Sequence, residues 1–91
     1  MSCTTILVGK DASYDGSTMI ARNMDSGSGE YTLKKMISVS GKNPPKKYRS
    51  VLSHVEIPLP DKALDYICFP NALNDSGIWA GAGTNSANVS V

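Results

Sequence analysis

Short apolar runs rich in β-branched residues alternate along the chain with polar, glycine-rich or proline-rich connections. Residues 4–8 form the first run, which ends at Gly9, and residues 17–23 form the second run after the turn signal Asp15-Gly16. Runs of this length and composition are typical of strands rather than of helices. Because a turn signal lies between the two runs, we predict a loose β-hairpin at the start of the chain.

The rest of the chain continues the same pattern, and no long amphipathic helix is indicated. Asn43-Pro44-Pro45 is expected to interrupt any regular ladder, because proline has no N–H to donate. A single helical turn capped by Asp61 is expected over residues 61–65. The segments predicted to be extended or to pack as strands are residues 32–40, 48–57 and 79–91.

Length and composition indicate one domain over residues 1–91 and argue against a wholly disordered chain, and the net charge selects no partner. The chain has 91 residues, a hydrophobic content of 41% and a net charge of +1. It contains no run of 18 apolar residues and does not begin like a secretory signal, so we expect a soluble cytoplasmic protein without membrane association. Nucleic-acid binding is not expected either, since the basic residues between Lys34 and Arg49 have no interleaved stacking aromatic side chains.

The first cysteine is the candidate nucleophile of the chain. If Met1 and Ser2 are removed, Cys3 carries a free α-amine, whose reference pKa is about 7.7 to 8.0, beside a thiol of about 8.5. The amine could therefore serve as the general base for its own sulfur. The alternative is that Cys3 is a small buried residue at the start of a strand. Cys68 is interpreted as a core thiol, and a structural disulfide is not expected in a reducing compartment.

An arginine near the end of the second run and a carboxylate just after it are three positions apart. Arg22 could stabilise a thiolate or bind a substrate carboxylate, and Asp25 could accept a hydrogen bond from the α-ammonium of Cys3. On the charge pattern alone, a structural ion pair at the end of a strand explains these residues equally well. His54, the single histidine, is interpreted as structural.

Four segments together resemble the start of the N-terminal-nucleophile cysteine dipeptidases of peptidase family C69, which are relatives of penicillin V acylase and bile salt hydrolase. They are residues 3–9, 12–23, 50–58 and 77–79, with the sequences CTTILVG, ASYDGSTMIARN, SVLSHVEIP and GIW. The resemblance implies an α+β fold, the four-layer αββα sandwich, in which this chain would supply mainly antiparallel β-strands. It also implies a much longer complete enzyme, of which this chain is the N-terminal part.

The resemblance assigns roles to particular residues. Cys3 matches the nucleophile, and Arg22 and Asp25 match the arginine and aspartate that follow it. Residues 81–85 resemble the Gly-x-Asn segment whose backbone N–H stabilises the tetrahedral oxyanion, which points to Thr84 or Asn85. The implied reaction is hydrolysis of dipeptides by acyl transfer to Cys3, with no metal and no cofactor.

Two alternatives to a dipeptidase remain open at the level of sequence. One is an amidase of the penicillin V or bile salt type, with the same chemistry on another substrate. The other is a non-catalytic, truncated β-rich fragment. The expected partners are a small peptide substrate and either a second copy of the chain or the missing remainder of the enzyme, because uncovered strand edges and apolar sheet faces favour association.

Overall fold

A computed structural model describes residues 3–73 and 77–91, in which antiparallel strands supply nearly all the regular structure. The chain divides after Tyr31 into two compact units, which are described separately below. The prediction of a strand-rich chain with almost no helix is confirmed. None of the helices within the described residues is long and apolar enough to cross a bilayer.

The first unit is the predicted hairpin. Strand β1 (Cys3–Val8) pairs antiparallel with β2 (Met19–Met24), so that Cys3 lies opposite Met24 and Val8 opposite Met19. A short 3-10 helix, Lys10–Ala12, follows β1 and leads into the turn. The hairpin is thus confirmed, although β2 begins two residues later than the polar-to-apolar transition suggests.

Asp15 and Gly16 form the turn of this hairpin, as their sequence predicts. Gly16 adopts a φ of +76°, a left-handed conformation that costs glycine little. The Asp15 carboxylate accepts hydrogen bonds from the Ser17 hydroxyl at 2.6 Å and from the Ser17 N–H at 3.0 Å. These two bonds stabilise the ionised carboxylate and lower the pKa of Asp15 below its ordinary value.

The second unit contains a three-stranded sheet and a separate two-stranded hairpin. The strand bounds are Ile37–Val39 for β3, Lys47–Arg49 for β4, Glu56–Pro58 for β5, Tyr66–Pro70 for β6 and Ala80–Asn85 for β7. In the sheet, β6 lies between β3 and β7, and all pairs are antiparallel. The hairpin joins β4 to β5, with Tyr48 opposite Ile57.

Two segments predicted as continuous strands are shorter in the structure. Residues 48–57 are not one strand, because the chain reverses between β4 and β5. Ser50 donates its N–H to Val55 O at 2.9 Å and accepts the N–H of His54 at 3.1 Å, and His54 takes a left-handed φ of 60°. Within residues 32–40, only Ile37–Val39 forms a strand, and Lys34 makes an isolated bridge with Asn71.

The helical turn predicted over residues 61–65 is wrong. The segment has no helical structure, and its two carboxylates bind elsewhere. Asp61 forms an exposed ion pair with Lys46 at 3.0 Å instead of capping a helix. Asp65 accepts the N–H of Gly41 at 2.7 Å through its side chain and the N–H of Ser86 at 2.8 Å through its backbone carbonyl. These longer-range bonds replace the intrahelical ones.

Only two side chains are buried among the described residues, Cys68 and Pro70 on β6. Cys68 is 3% exposed, which confirms the predicted core thiol. Burial raises the pKa of the Cys68 thiol above its ordinary value. Burial, together with the neighbouring Cys68, also raises the pKa of the Tyr66 phenol, since ionisation of either group is unfavourable out of water.

Candidate functional site

Cys3 opens β1 and is exposed, so the interpretation of a small buried residue does not fit its position. Cross-strand partners of an antiparallel pair share a face, and side chains alternate along each strand. The register therefore places Cys3 on one face with Met24, its direct partner, and with Thr5 and Arg22. The expected removal of Met1 and Ser2 lies outside the described residues.

Arg22 is exposed and lies diagonally across the hairpin from Cys3. Such diagonal neighbours are about 7 to 8 Å apart, a separation that a long side chain can span. A guanidinium on this face could therefore approach the thiolate or a group bound to it. Among the described residues, Arg22 and Asp25 form no ion pair, so the alternative of a structural pair between them finds no support.

Asp25 follows β2 directly and is half-buried. Its spacing of three residues from Arg22 places the two side chains on opposite faces of the hairpin. Thr4 donates its hydroxyl to Asp25 Oδ2 at 2.6 Å, and Asn23 donates its side-chain N–H to Asp25 Oδ1. The structure thus brings Cys3 and Arg22 to one face and holds Asp25 on the other.

Thr4 and Asn23 were not among the residues predicted from the sequence, although two features of the sequence point to them. Asn23 and Asp25 are two residues apart, and such residues share a face of a strand. Thr4 lies opposite Asn23 in the hairpin, which the two runs and their turn signal could have indicated. Polar residues inside an otherwise apolar hairpin are informative when they fall on the same face.

Thr84 and Asn85 belong to the second unit, where they end β7. The Thr84 hydroxyl is 2.8 Å from that of Ser90. Asn85 holds the turn that follows: its Oδ1 accepts the N–H groups of Ala87 and Val89, each at 3.0 Å. Its own N–H donates to Val89 O, also at 3.0 Å, so an oxyanion at this donor would have to share or displace that bond. The roles of Thr84 and Asn85 stay predictions.

His54 and Cys68, which were interpreted from the sequence as structural, both lie in the second unit. His54 is exposed in the turn between β4 and β5, where its backbone N–H closes the reversal onto Ser50. Cys68 is buried on β6, opposite Gly83 in the register with β7. Burial raises the pKa of its thiol, which disfavours the reactive thiolate.

Comparison with known proteins decides the family. The profile of peptidase family C69 matches residues 2–91. The chain belongs to peptidase family C69. It is 57% identical over 91 residues to the dipeptidase of Bifidobacterium longum, with 100% of this chain and 17% of that protein covered. It is also 57% identical over 91 residues to the probable dipeptidase A of Streptococcus pyogenes, covering 100% of this chain and 20% of that protein.

A relative of lower identity also matches nearly all of this chain over only part of its own length. Dipeptidase A of Lactobacillus helveticus is 45% identical over 92 residues, which cover 98% of this chain and 19% of that protein. The chain therefore spans about a fifth of the length of the relatives it matches. All five candidate residues lie within the matched region: Cys3, Arg22, Asp25, Thr84 and Asn85.

Proposed function

We propose that this chain is the N-terminal part of a cysteine-type N-terminal-nucleophile hydrolase that cleaves dipeptides. The observation that carries the proposal is the match to peptidase family C69 over residues 2–91, which contains an exposed Cys3 at the head of β1. The names of the relatives, dipeptidase and probable dipeptidase A, support the substrate class.

In the proposed reaction, Cys3 becomes the N-terminus after Met1 and Ser2 are removed. Its α-amine takes the thiol proton, and the thiolate attacks the carbonyl carbon of the peptide bond. The resulting ammonium returns the proton to the leaving nitrogen as the carbon–nitrogen bond breaks. This releases the C-terminal amino acid and leaves the N-terminal one bound to the sulfur as a thioester. Water then attacks the thioester with the amine as base, which releases the second amino acid and restores the thiol.

The positions of the other candidate residues suit supporting roles. Arg22 shares the face of Cys3 and could stabilise the thiolate or bind the substrate carboxylate in a two-pronged hydrogen bond. The Asp25 carboxylate could accept a charge-assisted hydrogen bond from the ammonium of Cys3. Thr84 or Asn85 would supply a donor to the oxyanion. No step in this scheme requires a metal or a cofactor.

The complete enzyme would adopt the four-layer αββα sandwich, with the strands of this chain in its two central sheets. Apolar side chains on both faces of the first hairpin support this assignment. Leu7 and Ile20 are 72% and 53% exposed on one face, and Ile6 and Met19 are 59% and 51% exposed on the other. An isolated two-stranded hairpin is at best marginally stable, so a layer on each side is needed. We propose that the remaining part of a C69 enzyme supplies these layers, in preference to a second copy of this chain.

A chimera tests the catalytic proposal. The chain replaces the 91 matched residues of the Bifidobacterium longum dipeptidase, and dipeptide hydrolysis is measured. Cys3→Ala should lower kcat/KM by about a thousandfold or more, because the nucleophile is lost. Cys68→Ala is the matched control and should change kcat/KM little, since Cys68 is buried in β6. Retained hydrolysis in Cys3→Ala would disprove the nucleophile assignment.

Two further measurements on the chimera separate the alternatives. Mass spectrometry of the mature protein should show a chain that begins at Cys3, and a chain that still carries Ser2 would exclude the α-amine as the base. A panel of dipeptides, penicillin V and conjugated bile salts tests the substrate class. Faster hydrolysis of the amides than of any dipeptide would favour the amidase alternative.

A further inference from the structure

The Asp25 carboxylate is held at both oxygens by side chains of the two strands of the hairpin. The Thr4 hydroxyl donates to Oδ2 at 2.6 Å, and the Asn23 side-chain amide donates to Oδ1. Thr4 and Asn23 are themselves direct partners in the β1–β2 register. The carboxylate is therefore fixed by a cross-strand pair, which prevents its rotation and ties its position to the register of the hairpin.

Both donors are neutral groups, so the Asp25 carboxylate can still bind a cationic donor. Among the described residues, no cation forms an ion pair with Asp25, so its negative charge is not neutralised by a neighbour. A carboxylate has about four lone-pair sites, and the two bonds leave others free. Asp25 is thus oriented without losing its capacity to bind a cationic donor.

The clamp, by which we mean Thr4 and Asn23 holding Asp25, lies close in sequence to a possible cationic donor. Thr4 directly follows Cys3, so the hydroxyl that binds Asp25 belongs to the residue next to the Cys3 α-amine. The thiol of Cys3 lies on the opposite face of the hairpin, with Arg22. The thiol and the carboxylate that Thr4 and Asn23 hold therefore lie on opposite faces of the strand that Cys3 begins.

We propose that Thr4 and Asn23 are positioning residues, which hold Asp25 so that its carboxylate orients the α-ammonium of Cys3. The inference rests on the proposed function, in which Cys3 is the N-terminus. The ammonium must return its proton to the leaving nitrogen, and a fixed acceptor restricts the direction in which the amine points. Loss of either donor would leave Asp25 free to rotate and would slow the chemical step more than it weakens substrate binding.

The test uses the full-length chimera with the Bifidobacterium longum dipeptidase. Thr4→Val removes the hydroxyl and keeps the shape of the side chain, whereas Thr4→Ser keeps the hydroxyl. Because hydrogen bonds to charged groups are among the stronger ones, Thr4→Val should lower kcat by about tenfold or more. KM should stay within about twofold, and Thr4→Ser should recover most of the lost kcat. Thr18→Val, the same substitution at an exposed position before β2, is the matched control.

A double-mutant cycle shows whether Thr4 acts through Asp25. In an Asp25→Asn background, Thr4→Val should cause no further loss of kcat, because the group that it positions has already been altered. If Thr4→Val does not fold, as judged by a lost thermal transition, Asn23→Ala carries the same cycle.

Several results would overturn the proposal. They are a kcat for Thr4→Val equal to that of Thr18→Val, an equal impairment of Thr4→Val and Thr4→Ser, or additive losses in the cycle. Failure of the proposed function is recognised separately, by hydrolysis that survives Cys3→Ala. Abolished activity in Cys3→Ala with an unaffected Thr4→Val would reject only the clamp.

Discussion

Gly41 lies where the chain after β3 passes against the backbone of Ala63 and Leu64, and the space there excludes a side chain. A Cβ at this position would overlap the carbonyl oxygen of Ala63 and would lie 2.8 Å from its carbonyl carbon and 2.9 Å from that of Leu64. All three are backbone atoms, which cannot rotate away. Gly41→Ala must therefore displace one of the two segments, and the bond from the Gly41 N–H to Asp65 at 2.7 Å is strained or lost with it.

The magnitude follows from three contributions. Overpacking costs about 1 to 3 kcal/mol, and weakening an exposed hydrogen bond to Asp65 adds about 1 kcal/mol. Alanine lowers the entropy of the unfolded chain, which offsets about 0.4 to 1 kcal/mol. The net destabilisation is about 1 to 3.5 kcal/mol, equivalent to a fall in Tm of roughly 4 to 28 °C for a domain of this size.

Urea denaturation followed by the fluorescence of Trp79, the single tryptophan, measures this change in the second unit. Lys42→Ala is the control, because Lys42 is the next residue in the same unit and is exposed. Its free energy of unfolding should change by no more than about 0.5 kcal/mol. If Gly41→Ala and Lys42→Ala shift the midpoint equally, the close approach of residues 41 and 63 is refuted.

Three further predictions concern titratable groups. Iodoacetamide near neutral pH should modify the exposed Cys3 before the buried Cys68, as seen by peptide mass mapping; equal rates would contradict the burial of Cys68. Burial raises the pKa of Cys68 and Tyr66 in the folded chain, so both groups ionise first in the unfolded chain. The free energy of unfolding should therefore be unaffected by these groups below about pH 9 and should fall as the pH rises through their folded pKa values. A urea midpoint that stays constant up to about pH 11 would disprove this. The hydrogen bonds from Ser17 lower the pKa of Asp15 in the folded chain. The small stabilisation from this carboxylate is therefore present above the ordinary pKa of aspartate and is lost as the pH falls through the folded pKa. Ser17→Ala should raise the pKa of Asp15 in a carboxyl NMR titration.

The first hairpin shows what local sequence can predict. Its two runs and the Asp15-Gly16 turn are signals within about 20 residues of each other, and the structure confirms the pairing. Side-chain alternation then determines which residues share a face. The same arithmetic places Arg22 and Asp25 on opposite faces, so the separation of these two groups was already implied by their spacing of three.

The segments predicted incorrectly depend on contacts that local sequence does not contain. Asp61 was interpreted as a helix cap, yet its partner Lys46 is 15 residues away, and Asp65 binds Gly41, 24 residues away. The reversal between β4 and β5 requires His54 in a left-handed conformation, which non-glycine residues rarely adopt. Such a conformation is recognisable only once the flanking strands are paired.

The exposure of the first hairpin has a consequence for the chemistry of Cys3. With Leu7 and Ile20 uncovered, the face that carries Cys3 and Arg22 is open to water, where opposite charges attract weakly. Layers packed on the hairpin in the complete enzyme would exclude water and strengthen the attraction between the guanidinium and a thiolate. The sulfur should therefore react faster with iodoacetamide at pH 7 in the chimera than in the 91-residue chain, with Arg22→Gln removing the difference. Equal rates in both proteins would mean that the chain already provides the full electrostatic environment of its nucleophile.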